Sequence, residues 1–220
     1  MMSGPSTPYV LPFVAFLVLL ALDGKLGLSP GAEYPLRVVV LAAILWTFSR
    51  KAIDWKVRQW PASVGLGLVV FLIWVAPDFF WPAYRTHWLF QNSYLGSAPV
   101  PNGGYSGMGV SALVFRSLRA VVLVPIIEEL FWRNWLMRWL IRPDFQAVPL
   151  GTYSRKAFWI TAAFFALEHG AYWDVGLAAG ILYNWWMIRT RSLGDCILAH
   201  AVTNAVLSAY VLGAGKWQYW

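Results

Sequence analysis

Seven runs of apolar residues dominate this chain, at 9–22, 36–48, 62–75, 110–140, 157–169, 175–188 and 194–212. They are continuous rather than alternating, and no heptad stripe links them, so the pattern is that of membrane helices. A transmembrane β-barrel needs segments of about ten alternating residues, and none is found. The charge content agrees: 12% charged residues are too few to coat a globule in water, where about 25% is usual. The chain therefore reads as all-α, a polytopic transmembrane helix bundle of about seven to eight spans in a single membrane domain, 1–220. Some runs fall short of the roughly 20 residues a lone span needs, but helices inside a bundle or in a thin bilayer can be shorter. The Pro- and aromatic-rich stretch 77–105 reads as an interfacial excursion with room for an amphipathic helix or an eighth span. The run at 9–22 reads as a retained first helix, because no Lys or Arg precedes it and no clean small-x-small cleavage site comes before Asp23.

Among the fifteen tryptophans, Trp55, Trp60, Trp74, Trp81 and Trp173 flank the runs, where an amphipathic ring suits the headgroup zone. A net charge of +7 is better explained by topology than by nucleic acid, because the basic residues lie between spans. Arg50, Lys51, Lys56, Arg58, Arg138, Arg142, Arg155, Lys156, Arg189 and Arg191 fall on one side. Lys25, Arg37, Arg85, Arg116, Arg119 and Lys216 fall on the other, with Arg133 inside the membrane. The positive-inside rule then puts the N-terminus in the cytoplasm. The single cysteine, Cys196, excludes an intrachain disulfide and reads as a small buried hydrophobe.

The residues that should not be in a bilayer carry the chemistry. Glu128, Glu129 and Arg133 interrupt the fourth run, VVLVPIIEELFWRNWLMRWL, and each such charge costs about 2.5–3.5 kcal/mol on insertion scales. Glu129 and Arg133 are four apart, stacked on one helical face and able to pair. Glu128 is turned about 100° away and is left over, which suits it to proton transfer. The fifth run ends in FALEHG, with Phe165 one turn before His169. The seventh holds HAVTN, placing His200 and Asn204 on one face. Counting the helical rise from the basic ends puts Glu128, His169 and His200 near one level, as a site requires.

In order along the chain, EELFWR has the pattern EExxxR, FALEH has FxxxH and HAVTN has HxxxN. This resembles the CAAX-protease and bacteriocin-processing family (CPBP, or Abi), which includes the type II CAAX prenyl endopeptidases. The motif-bearing core is about 110–212, and the first hundred or so residues show nothing diagnostic. The resemblance implies an intramembrane endopeptidase acting on a membrane-associated protein or peptide, prenylated or otherwise processed near its C-terminus. It implies Glu128 as the base that activates water, His169 as a group that holds that water, and His200 and Asn204 as oxyanion donors. Glu129, braced by Arg133, would shape the site or contact substrate. Zn²⁺ held by Glu128, His169 and His200 is one arrangement these residue types allow. The lack of HExxH and the spread over three helices favour a metal-free water.

Several polar residues invite plainer readings. Glu168 is expected to point about 100° away from His169, toward the external mouth. Asn184 reads as a helix–helix hydrogen bond, Asp195 as a helix N-cap, and His87 as uninvolved. Two other function classes compete. A proton- or ion-coupled transporter would show repeats or broken helices in corresponding halves, and neither is visible. A non-enzymatic scaffold or immunity-type protein would keep its function when Glu128 becomes Gln.

Overall fold

The computed structural model describes residues 4–92 and 108–220, and within them the chain is helical without a strand. The seven apolar runs become seven long helices, and local chemistry fixes many of their ends. Helix α1 (Thr7–Ala21), α2 (Pro30–Ser49) and α3 (Trp60–Phe80) each carry proline in the first turn, where its missing N–H costs nothing. Helix α4 (Val110–Trp139) has 30 residues and is about 45 Å long. It is followed by α5 (Arg155–Glu168), α6 (Trp173–Thr190) and α7 (Leu193–Ala214). The α6–α7 turn is tight: Arg191 takes left-handed φ of 51°, and the Ser192 hydroxyl then caps α7 by accepting from the Asp195 N–H at 3.2 Å. Asp195 thus does not cap its own helix. Its carboxylate accepts from the Arg58 and Gln59 N–H groups and the Ser63 hydroxyl, tying the start of α3 to the start of α7.

Four helices, α2, α3, α4 and α7, are long and apolar enough to cross a membrane unaided. Helix α1 is apolar but shorter, and α5 and α6 depend more on their neighbours. Many large apolar side chains on the outer faces, such as Val39, Leu72, Phe79 and Val114, are exposed, as lipid-facing residues would be. The chain is a membrane protein, all-helical as its apolar runs imply.

Helix α7 is the hub, packing on α3, α4 and α6, while α5 packs along α6. The α3–α7 crossing is close because Gly67 has no side chain: a Cβ there would lie 2.5 Å from the Ala199 carbonyl oxygen. Helix α1 sits against the later turns of α4, with Phe13 stacked on Phe131 at 3.9 Å. Of the stretch 77–105, the first residues complete α3, and Tyr84–Thr86 forms one 3₁₀ turn. Arg85 pins that turn by donating to Asp174 at 2.5 Å and to the Ala171 carbonyl at 2.8 Å. Residues 93–105, where an eighth span or amphipathic helix was expected, lie outside the described residues.

Candidate active site

Helix α4 changes its winding on either side of the two glutamates. Wider π turns span Arg119–Leu123 and Leu130–Leu136, and regular α-helix between them, Val124–Glu129, carries the acidic pair. Such interruptions recur at functional sites because they re-aim side chains. On the regular α-helical stretch between them, Glu128 and Glu129 lie about 100° apart and meet different neighbours.

Glu128 lines a cavity of about 180 Å³ and is only 4% exposed. That volume has room for more than one water molecule. Its carboxylate has no hydrogen-bond partner among the described residues, and Oε2 is buried. Phe165, His169, His200 and Asn204 line the same cavity, so the expected groups do converge.

His169 ends α5. Its Nδ1 lies 2.7 Å from the Phe165 carbonyl oxygen. That oxygen can only accept, so Nδ1 carries the hydrogen and Nε2 keeps its lone pair. The ring rests against Phe165 and, edge-on, against Trp74 at 5.1 Å. Trp74 therefore belongs to the cavity wall, not to the headgroup zone where its position in the sequence suggested it.

His200 is held from behind. Its Nδ1 lies 2.9 Å from Glu129 Oε1, and its ring stacks on Tyr183 with centroids 5.0 Å apart. The same Glu129 oxygen accepts from Arg133 Nη1 at 3.0 Å, and Arg133 Nε donates to Asn184 Oδ1 at 3.0 Å. The guanidinium also lies over Phe165, 4.4 Å from the ring centroid. Glu129 and Arg133 are fully buried and outside the cavity lining, behind His200. Asn184 makes the expected interhelical bond, Nδ2 to the Phe158 carbonyl at 2.9 Å, and fixes Arg133 as well.

Asn204 donates one Nδ2 hydrogen to the Ala120 carbonyl at 2.8 Å, which lies in the first π turn, and keeps the other free for the cavity. Between His200 and Asn204, Thr203 completes the wall. It accepts from the Tyr183 hydroxyl at 2.7 Å and reaches the Gly67 carbonyl at 2.9 Å. Tyr183 and Thr203 were not singled out from sequence, because a Tyr or Thr in an apolar helix resembles ordinary packing.

Glu168 corrects an expectation. It does not turn away to the mouth: Oε2 accepts from Trp132 Nε1 at 3.2 Å, and Oε1 is buried without a partner. Together with Glu129 it is one of the carboxylates whose charge acts on Glu128. His87 stays outside the site, its Nδ1 accepting from the Leu89 N–H. Cys196 is buried, as its apolar setting implied.

Among the described residues, no three His, Cys, Asp or Glu side chains are grouped as a metal ion requires. Glu128, His169 and His200, the donors the sequence offered for zinc, line one cavity but are not such a group.

Residues 110–206 match the model of a family described as type II CAAX prenyl endopeptidase Rce1-like. That segment holds all three motifs and, of the cavity lining, Glu128, His169, Tyr183, His200, Thr203 and Asn204. The likeness read from EExxxR, FxxxH and HxxxN is thus found a second time, over a segment that runs from α4 into α7. Neither the curated proteins nor the solved structures yield a match.

Proposed function

We propose that this protein is an intramembrane endopeptidase that hydrolyses a peptide bond of a membrane-associated substrate with water activated by Glu128. One observation carries the reading: an unpartnered buried carboxylate, two imidazoles and an amide from three separate helices line one cavity with room for water. The Rce1-like domain over the same residues supports it.

In this reading Glu128 accepts a proton from a cavity water, and His169 Nε2 holds that water through its lone pair. The resulting hydroxide attacks the peptide carbonyl. The free Asn204 Nδ2–H stabilises the oxyanion, and His200 Nε2 joins it when the ring carries both protons, with Glu129 accepting from Nδ1. Protonated Glu128 then returns its proton to the leaving amine, and the C–N bond breaks. A positioned base contributes about 10²–10⁴-fold, and one oxyanion donor about 2.7–4 kcal/mol. Apolar walls from Val70, Trp74 and Phe165 limit competing water. The N-terminus is assigned to the cytoplasm, and cysteine labelling at position 51 of a Cys196→Ala protein in intact vesicles checks it.

The test is cleavage of membrane-proximal and C-terminal peptides by the full chain in detergent, with products mapped by mass spectrometry. Glu128→Gln should lower kcat by about 10²–10⁴-fold without lowering the melting temperature, since Glu128 makes no bond whose loss would be felt. Full turnover by Glu128→Gln, or no cleavage of any peptide by folded wild type, would overturn the proposal.

A further inference from the structure

Buried arginines of this chain are held by carboxylates, carbonyls or a hydroxyl, and Arg119 is left without any of these among the described residues. All ten Asp and Glu are among the described residues, and 1–3 and 93–107 contain none. Arg37 pairs with Glu33 and Asp23, Arg85 with Asp78 and Asp174, and Arg133 with Glu129. Arg138 donates to carbonyls of the 134–148 segment, and Arg116 donates to the Tyr34 hydroxyl at 2.7 Å. Arg119 is 7% exposed, and no acceptor reaches it among the described residues; its Nε is buried. The face of Tyr34 lies 5.5 Å from the guanidinium carbon, and Asp23, already paired with Arg37, attracts Arg119 without bonding to it. Arg116 shares that ring from 5.5 Å, and both Arg116 and Arg37 act on Arg119 as like charges. A buried guanidinium crowded by two others is costly unless an anion joins them.

The cluster adjoins the cavity. Arg119 precedes Ala120, which lines the cavity and holds Asn204, and Arg116 lies 5.3 Å from the ring of Trp220, another lining residue. Nine residues separate Arg119 from Glu128 on α4, a rise of about 14 Å. An extended peptide advances about 3.4 Å per residue, so that gap equals about four residues. Depth argues for a ligand arriving through the cavity. A helix the length of α4, centred on a hydrocarbon layer of about 30 Å, puts Arg119 about 6 Å inside that layer, below the headgroup phosphates.

We propose that Arg119, with the Arg116 and Arg37 guanidiniums around it, binds the terminal carboxylate of the peptide that the cavity cleaves, and so sets how far from the chain end the cut falls. This rests on the hydrolase reading above and adds a specificity-determining residue to it. A carboxylate held by charge-assisted hydrogen bonds relieves the repulsion among the three cations and satisfies Arg119. An amide at the same place does neither.

The experiment measures binding apart from cleavage. The probe is a fluorescein-labelled peptide ending in S-farnesyl-Cys-Val-Ile-Ala, as the free acid and as the C-terminal amide, titrated by anisotropy onto the full chain carrying Glu128→Gln. The free acid should bind about 10–100-fold more tightly than the amide. Arg119→Gln should bring the two together, and Arg119→Lys should keep most of the preference. Arg119→Gln should melt no lower than its parent, because it removes an unsatisfied charge. Equal binding of acid and amide, binding of neither, or a preference that survives Arg119→Gln overturns the proposal. Nanodiscs with and without phosphatidylglycerol test the headgroup source: Arg119-dependent stabilisation by that lipid, with acid and amide bound alike, also overturns it. Wild-type cleavage is scored separately. Cleavage without acid preference removes only the carboxylate site, whereas acid preference without cleavage supports the site and removes the hydrolase.

Discussion

Arg133→Met tests the wiring behind the cavity more sharply than any change inside it. The substitution keeps an unbranched side chain beneath Phe165 and Tyr183 but removes the guanidinium bonded to Glu129, a carboxylate with no solvent exposure. Breaking a buried pair from one side costs about 3–5 kcal/mol, because the remaining charge is stranded. Asn184 Oδ1 loses its donor too, adding about 1–3 kcal/mol. For a chain of this size each kcal/mol moves the melting temperature by about 2–4 °C, so the ion-pair loss alone predicts a fall of about 6–20 °C. The double variant Glu129→Gln with Arg133→Met removes the stranded charge while Gln still offers His200 an acceptor. It should therefore be more stable than Arg133→Met alone, though short of wild type, since Asn184 remains unsatisfied. The assay is thermal unfolding in detergent followed by intrinsic tryptophan fluorescence. A single variant within about 2 °C of wild type, or a double variant less stable than the single, would refute the claim that an ion pair holds Glu129 in place.

Three further outcomes are expected. Gly67→Ala should lower the melting temperature, because overpacking at a crossing costs about 1–3 kcal/mol and the new Cβ meets the Ala199 carbonyl at 2.5 Å; unchanged melting would show that α3 and α7 can part freely. Asn204→Ala should reduce kcat by about 10²–10³-fold with KM little altered; a change confined to KM, in steady-state peptide cleavage, would remove Asn204 from the oxyanion role. Dialysis against EDTA or 1,10-phenanthroline should leave peptide cleavage intact, since the cavity donors do not group around an ion; loss of activity restored by Zn²⁺ would show that they regroup to bind one.

What the sequence determined by itself was local and periodic. Continuous apolar runs make helices whatever surrounds them, because a backbone in lipid must satisfy its own hydrogen bonds. The seven runs therefore reappear as α1 to α7. Spacing within a helix was equally legible: Glu129 and Arg133, four apart, do pair, and Glu128 is left to the cavity. What only the tertiary structure decided was which faces meet. Glu129 serves His200 across 71 residues, Asp195 holds the entry to a helix that begins more than a hundred residues earlier, and Trp74 turns inward to His169. The π turns of α4 also redirect side chains in a way that 3.6-residue counting misses, and Glu168, expected outward, settles on Trp132 beside Glu128. Arg119 belongs to the same class: in sequence it was one of several topology-setting cations, and only packing revealed it buried beside Tyr34 with no acceptor among the described residues. Helical periodicity is written in each segment, but partnership between segments is a property of how the bundle closes.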